Sequence, residues 1–158
     1  MYYVFILAII AIDQTIKFFI RSNLSLGQSI PVIGSILHIT YIENSGGAFS
    51  ILEGQSAVLI IIPAALVAAI IIYIQKNKSG GHVMMLSALS FICGGGAGNL
   101  VDRALRSGRV VDFIDFRVFP VFNFADICVC CGCGLLLLYI FITGRNEKTK
   151  LMSAEDGK

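Results

Sequence analysis

The chain has 158 residues, of which 56% are hydrophobic and 14% charged, and its mean hydropathy is +0.84. This composition excludes an ordinary soluble domain, and a formal net charge of +2 gives no sign of a nucleic-acid partner or a strongly acidic substrate. We therefore expect one compact domain that resides in a membrane.

Four apolar runs are long enough to cross a bilayer, whose hydrocarbon core requires roughly 20 residues of helix. They comprise residues 2–20, 57–74, 83–101 and 122–142. The first run carries Asp13 and Lys17 where a cleavable signal peptide would be apolar, so we expect it to remain as a membrane helix. The predicted organisation is a single membrane domain over residues 1–143 and a polar cytoplasmic tail over residues 144–158.

Two longer connections join these runs. The first contains ILHITYIENSGGAFSIL, in which apolar and polar residues partly alternate before a Gly46-Gly47 turn signal, and it predicts a hairpin or small sheet. The second, GRVVDFIDFRVFPVFN, is rich in Val and Phe and predicts extended chain at the membrane interface. The sequence thus indicates a mainly α membrane protein with four transmembrane helices and a small surface sheet.

The polar residues of the spans lie near helix ends that should meet. They are Asp13 and Lys17 in the first span, Asn99, Asp102 and Arg103 in the third, and Asn123 and Asp126 at the start of the fourth. Because consecutive helices run antiparallel, all these ends reach one membrane face, together with both longer connections. Ionisable groups at membrane depth usually face a bundle interior or a watery cavity, so this face is a site hypothesis. Lysines on the opposite face favour a cytoplasmic location there, which turns the site outward.

Two kinds of acidic group stand out. Asp13 and Lys17 are four residues apart, on one helix face, and we interpret them as a structural ion pair. Asp112, Asp115 and Asp126 lie in or just above the membrane, and two of them could form a carboxylate dyad. Two carboxylates that share a site cannot both ionise cheaply, so one can activate water while the protonated one polarises a carbonyl. Such a dyad hydrolyses a peptide bond.

Other motifs favour structural interpretations. The glycine run Gly94, Gly95, Gly96 and Gly98 lacks the spacing of a nucleotide-binding loop and is typical of close helix packing. The cysteines crowded between residues 128 and 133 lack the spacing of metal ligands, so we expect them to fill space, and we expect neither metal nor cofactor. A proton channel or small transporter and a noncatalytic membrane scaffold stay open as alternatives to an enzyme.

Several strings together resemble the prolipoprotein signal peptidase (signal peptidase II) family. They are Asp13-Gln14 followed by Lys17, NSGGAF from Asn44, GGGAGNLVDR from Gly94, VVDFID from Val110 and FNFAD from Phe122, in order along almost the whole chain. Two positions carry glycine, Gly47 and Gly96, where the family often has alanine. A third, Ile127, stands where relatives often have a hydroxyl residue, which could alter how the neighbouring aspartate is oriented.

The resemblance implies an intramembrane aspartic endopeptidase of the bacterial cytoplasmic membrane, with an extracytoplasmic sheet and loop, cytoplasmic termini and an active site near the outer face. Its substrates would be prolipoproteins whose lipobox cysteine carries a diacylglyceryl group, cleaved just before that cysteine. The family's catalytic pair falls on Asp112 and Asp126. Its substrate-binding or supporting residues fall on Asp13, Lys17, Asn44, Gly98, Asn99, Arg103, Asn123 and Ala125.

Overall fold

The structure of the chain is a computed structural model that describes residues 1–45, 56–80 and 82–155. The predicted Gly46-Gly47 turn lies outside the described residues. Within them, four helices have the length and composition to cross a membrane, which confirms the four predicted spans. The helices are α1 (Tyr2–Asn23), α2 (Ser56–Asn77), α3 (Val83–Leu105) and α4 (Phe124–Glu155).

The predicted surface sheet is also present. It consists of β1 (Ser29–Ile33), β2 (Leu37–Asn44) and β3 (Val110–Asp115), in the antiparallel order β1-β2-β3. Extended chain was expected for the connection that contains β3, and its Val, Ile and Phe residues pair with β2 as β-formers do. Asn44 pairs with Val110 and Ile42 with Asp112, so the sheet brings the two long connections together.

Helix α3 packs against each of the other three helices. Its glycines make this possible: a Cβ on Gly94 would lie 2.9 Å from the Cβ of Ile9, and one on Gly95 would collide with the backbone oxygen of Ala125. The packing interpretation of the glycine run is therefore confirmed, because only the absence of side chains lets α1 and α4 approach α3 so closely.

The two ends of this bundle are buried in different ways. Away from the sheet, an apolar cluster packs α1, α2 and α3 together; it consists of Ile6, Ile70, Ile74, Leu86 and Cys93. At the sheet end, the buried side chains of the same bundle include the polar or charged Asp13, Lys17, Asp102 and Asn123. The second end carries the candidate site.

Candidate active site

A buried ion-pair cluster joins α1 to α3 at the polar end. The Nζ atom of Lys17 lies 2.9 Å from Oδ2 of Asp13 and 2.9 Å from Oδ2 of Asp102, and all three side chains are 0% exposed. The same ammonium group donates a hydrogen bond to Oδ1 of Asn99, at 2.9 Å. The predicted Asp13–Lys17 ion pair is confirmed, and the cluster satisfies charges that would otherwise be costly inside a membrane protein.

Asp102 belongs to the polar face that the sequence predicted, but the resemblance did not assign it to the site, and the structure gives it a supporting position. It accepts the backbone N–H of Val111 at 3.1 Å and the Nε–H of Arg106 at 3.0 Å, in addition to its ion pair with Lys17. Because Val111 precedes Asp112 in β3, Asp102 ties that strand to the end of α3. Its position three residues after Asn99, on the same helix face, was the signal that could have identified it.

Asp112 lies in the middle of β3 and is 3% exposed. Its Oδ2 accepts the side-chain N–H of Asn44 at 3.0 Å, and its Oδ1 accepts that of Asn123 at 2.6 Å. Burial raises the pKa of Asp112 to about 6 and the negative charge of Asp126 adds to the rise, although both asparagine bonds oppose it. Asp112 is therefore a carboxyl group that can hold a proton close to neutral pH.

Asp126 lies in the first turn of α4, where a capping box fixes it. The Oδ1 of Asn123 accepts the backbone N–H of Asp126 at 3.1 Å, and the Oδ2 of Asp126 accepts the backbone N–H of Asn123 at 3.1 Å. The other carboxylate oxygen accepts the side-chain N–H of Asn99 at 2.9 Å. Two N–H groups, those of the Asn123 backbone and the Asn99 side chain, thus orient this carboxylate at the start of α4.

Asn123 links the two aspartates. Its side chain is 0% exposed, and its Nδ2 donates to Asp112 while also lying 3.1 Å from Oδ1 of Asn99. Its backbone and its Oδ1 bind Asp126, as described above. One asparagine therefore contacts both carboxyl groups and brings them to the same end of the bundle.

Two small residues of the site, Gly98 and Ala125, allow helices α1, α3 and α4 to pack closely. A Cβ on Gly98 would lie 2.7 Å from Oδ2 of Asp13, and the backbone N–H of Ala125, itself 0% exposed, donates to Oδ1 of Asp13 at 3.1 Å. Larger side chains at either position would separate α1, α3 and α4 where the three helices meet.

Asp115, the third aspartate considered from the sequence, has different partners. It lies three positions beyond Asp112 in β3, so the two side chains belong to opposite faces of the strand. Its carboxylate accepts the hydroxyl of Thr40 at 2.7 Å and pairs with Arg117 at 3.2 Å. These bonds, that of Thr40 first, hold the pKa of Asp115 below its usual range. Asp112 and Asp126 thus share a hydrogen-bonding partner, Asn123, whereas Asp115 bonds to Thr40 and Arg117.

A cavity of about 300 Å³ opens beside Asp126, between α2, α3 and α4. Three of its lining residues, Asn99, Arg103 and Asp126, are polar and lie at the sheet end. The guanidinium of Arg103 interacts electrostatically with both Asp126 and Asp112, and its buried Nε has no hydrogen-bond partner among the described residues. The rest of the lining is mainly apolar: Pro63, Leu66, Val67, Ile70, Ile92, Gly96, Val129 and Cys130. A largely apolar ligand with a polar group at one end would fit this space.

The cysteine cluster is distributed around α4, as its sequence pattern predicted. Cys128 is 3% exposed, Cys130 faces the cavity, and Cys131 and Cys133 are exposed. Throughout residues 1–45, 56–80 and 82–155, no three His, Cys, Asp or Glu side chains are grouped as a metal ion would require.

The chain is similar to known proteins over nearly its whole length. The family model described as signal peptidase (SPase) II, peptidase family A8, matches residues 5–142. A lipoprotein signal peptidase of Halothermothrix orenii is 40% identical over 89% of this chain and 95% of its own length. One of Shouchella clausii is 43% identical over 94% and 97%. A solved bacterial membrane enzyme, determined by the in meso method at 2.3 Å resolution, superposes with a TM-score of 0.84 at 31% identity, over 92% of this chain and 90% of that one.

Proposed function

Since the chain belongs to the signal peptidase II family and is thus an aspartic peptidase of a membrane, we propose that it removes signal peptides from bacterial prolipoproteins just before a cysteine that carries a diacylglyceryl group. The observation that carries this proposal is the juxtaposition of two carboxyl groups on Asn123 at the polar end of an apolar cavity. Peptide hydrolysis needs the first feature, and a lipidated membrane substrate needs the second.

In the proposed reaction, Asp126 is the general base and Asp112 the general acid. Asp126 accepts a proton from water, and the resulting hydroxide attacks the scissile carbonyl carbon while Asp112 donates its proton to the carbonyl oxygen. Collapse of the tetrahedral intermediate then breaks the C–N bond, with a proton passing to the leaving nitrogen. The assignment follows from the environment of Asp112, because burial raises its pKa to about 6 and so favours its protonated form as the acid. Asp126, whose carboxylate accepts two N–H groups, is then the base.

The other site residues would bind substrate or hold the pair in place. The unpartnered Nε–H of Arg103 is suited to donate to a backbone carbonyl of the substrate, and Asn44 keeps Asp112 oriented. The Lys17 cluster and the small residues Gly98 and Ala125 would keep the three helices in register beneath the pair.

The proposed setting is the bacterial cytoplasmic membrane, with both termini cytoplasmic and the aspartates near the outer face. Lys76 and Lys78, at the end of α2, are on the bundle end opposite the sheet, where basic residues favour the cytoplasm. Signal peptide and acyl chains would then reach the cavity laterally from the lipid, because neither gains by leaving it.

The test uses the purified protein in detergent with a diacylglyceryl-modified prolipoprotein and its unlipidated counterpart, with products identified by mass. We expect cleavage just before the lipidated cysteine only. Asp112→Asn and Asp126→Asn should each reduce kcat by at least about 10³-fold, because each removes one partner of a unit that acts together. Asp115→Asn is the matched control, since it makes the same change on the same strand outside the pair, and it should retain most of the activity.

Turnover retained by Asp112→Asn or Asp126→Asn would refute the dyad. Absence of cleavage by a folded wild-type protein, on a substrate that a known lipoprotein signal peptidase cleaves, would refute the function. Ion flux through the protein in liposomes would then favour a channel, and substrate binding without turnover would favour a scaffold.

A further inference from the structure

A second cavity continues the first one along the bundle, away from the aspartates. It has a volume of about 350 Å³ and is lined by Ala69, Ile70 and Tyr73 of α2, Met85 and Leu89 of α3, and Leu136 of α4. Ile70 lines both cavities, so the two adjoin at this residue, and both are lined by α2, α3 and α4; we refer to them together as the groove. We call the cavity with Asp126 the polar chamber and the cavity with Tyr73 the distal chamber.

The groove is nearly as long as the membrane is thick. Arg103 in the polar chamber and Met85 in the distal chamber are 18 residues apart on α3 (103 − 85), which corresponds to about 27 Å of helix. The hydrocarbon core of a bilayer is roughly 30 Å thick. A ligand that has one end at the aspartates and also fills the distal chamber must therefore cross most of the bilayer.

A lipidated prolipoprotein has two apolar parts, its acyl chains and the apolar segment of its signal peptide, and they reach different depths in the bilayer. An acyl chain anchored at the polar end occupies one leaflet, or roughly 15 Å of hydrocarbon. Leu136 lies ten residues beyond Asp126 on α4, which is about 15 Å along the helix. Leu89 lies fourteen residues before Arg103 on α3, which is about 21 Å. Helical apolar segments of signal peptides, with 7–15 residues, extend about 10–22 Å. The longer segments reach the distal chamber, and an acyl chain ends at its near edge.

The lining of the distal chamber fits an apolar helix of limited length. Among its described residues, the side-chain heteroatoms are the hydroxyl oxygen of Tyr73 and the sulfur of Met85, which contact each other at 3.8 Å. This contact joins α2 to α3 at the end farthest from the aspartates. Met85 lies about 27 Å along α3 from Arg103, so this contact closes the chamber beyond the roughly 22 Å that the longest apolar segment spans.

We propose that the distal chamber is a subsite for the N-terminal part of the signal peptide's apolar helix, and that it makes the enzyme prefer substrates with long apolar segments. The inference rests on the proposed function, because the scissile bond fixes the other end of the helix at Asp112 and Asp126.

The test compares two lipidated substrates, with apolar segments of about 8 and about 14 residues, whose helical lengths are roughly 12 Å and 21 Å. Wild-type protein should have a kcat/KM for the long substrate about tenfold above that for the short one, since only the long helix gains the packing contacts. Ala69→Trp fills the chamber and should abolish this preference by raising KM for the long substrate alone. The matched control is Ala68→Trp, at the neighbouring exposed position, which should keep the preference.

Equal behaviour of Ala69→Trp and Ala68→Trp, or an equal loss on both substrates, would overturn the subsite. If Ala69→Trp does not fold, crosslinking on the Asp126→Asn variant decides: a photoreactive residue about twelve positions before the lipidated cysteine should label the segment of α4 that contains Leu136. Labelling of that segment by a photoreactive acyl terminus instead would assign the chamber to lipid and overturn the proposal. Wild-type protein that cleaves neither substrate would refute the proposed function itself, which is a distinguishable result.

Discussion

The two ends of the helix bundle contain side chains that are equally buried but held by different forces. Lys17, Asp13 and Asp102 at the polar end are 0% exposed, and so are Ile74 and Leu86 at the apolar end. In lipid, apolar side chains lose little by leaving a helix interface, because acyl chains surround them again. Buried charges have no such alternative. The polar end should therefore contribute most of the specificity of helix association.

The polar end also carries the proposed chemistry, so folding and function depend on the same contacts. The side-chain oxygen of Asn99 accepts a hydrogen bond from the ammonium group of Lys17, and its side-chain nitrogen donates a hydrogen bond to Asp126. One side chain thus connects the structural ion pairs to the candidate dyad. Variants that affect one end only can separate the two contributions.

Lys17→Met should have the largest effect on stability. It removes the cation that lies between Asp13 and Asp102 and leaves their carboxylates close together in a buried site. We expect the free energy of unfolding to fall by about 3–5 kcal/mol, the usual cost of breaking a buried ion pair by removing one partner. Reversible unfolding in mixed micelles measures it.

The counterpart at the apolar end is Ile74→Ala. It removes three carbons from a fully buried side chain, but lipid offsets the transfer term and only packing is lost, so we expect less than about 2 kcal/mol. An Ile74→Ala loss that equals or exceeds the Lys17→Met loss would mean that apolar packing dominates, and the comparison between the two ends would fail.

Asp112→Asn should stabilise the protein while it abolishes cleavage. The pKa of Asp112 is raised from 3.8 to about 6 in the folded protein, so between these values the folded chain holds a proton that the unfolded chain has lost. Stability therefore falls as pH rises through this window. About two pKa units correspond to roughly 3 kcal/mol. Asparagine carries no charge, so Asp112→Asn avoids the cost of ionising a buried group. Its amide nitrogen would, however, face an N–H donor of Asn44 or Asn123, and this lost hydrogen bond reduces the gain in stability by about 1 kcal/mol.

The measurement is the unfolding free energy of Asp112→Asn minus that of wild type, from pH 4 to pH 8. We expect about zero or a small deficit at pH 4 and a gain of about 1–2 kcal/mol above pH 7. Asp115→Asn should show no comparable change over this range, since the folded-state pKa of Asp115 is lowered from 3.8 and its titration lies below pH 4. A difference for Asp112→Asn that does not change with pH would contradict the buried, proton-holding state of Asp112.

Much of the fold was readable from the sequence, because hydropathy and helix direction are local properties. Four apolar runs predicted four spans, and antiparallel connection alone predicted that Asp13, Asn99 and Asp126 meet at one end. The resemblance to signal peptidase II then assigned residues to the site. All of those residues lie within one network of contacts at the sheet end.

The remaining features depend on distances that no local pattern contains. Without the resemblance, the sequence left open which two of three aspartates lie together; in the structure Asn123 bonds to Asp112 and Asp126, whereas Asp115 bonds to Thr40. The tether from Asp102 to Val111 was missed because its acceptor and donor lie in different elements. The distal chamber was not predicted either, since it arises from how α2 sits on α3, and the apolar pattern of α2 gives no preferred face.

The smallest predicted effect compares the loss of one side-chain hydroxyl at each end. Thr40 is 9% exposed, and Thr40→Val removes the hydroxyl that donates to Asp115 at 2.7 Å and lies 2.8 Å from the Oγ of Ser29. Tyr139→Phe removes the exposed contact of Tyr139 with Nδ1 of His82, at 3.0 Å. We expect losses in unfolding free energy of about 1 kcal/mol for Thr40→Val and below about 0.5 kcal/mol for Tyr139→Phe. Unfolding at pH 7 measures both.

The pH dependence of the Thr40→Val deficit in unfolding free energy shows whether the hydroxyl acts through the charge of Asp115. The bond from Thr40 helps to hold the pKa of Asp115 low, so its contribution is present above the unfolded pKa of about 3.9 and is lost as pH falls through the folded value. The Thr40→Val deficit should therefore shrink on acidification, while the small Tyr139→Phe deficit should not follow a carboxylate titration. A Thr40→Val deficit that stays constant down to pH 3 would mean that the hydroxyl acts through packing. Packing, and not the charge of Asp115, would then stabilise the sheet at Thr40. Buried charges would in that case stabilise the polar end only through the helices.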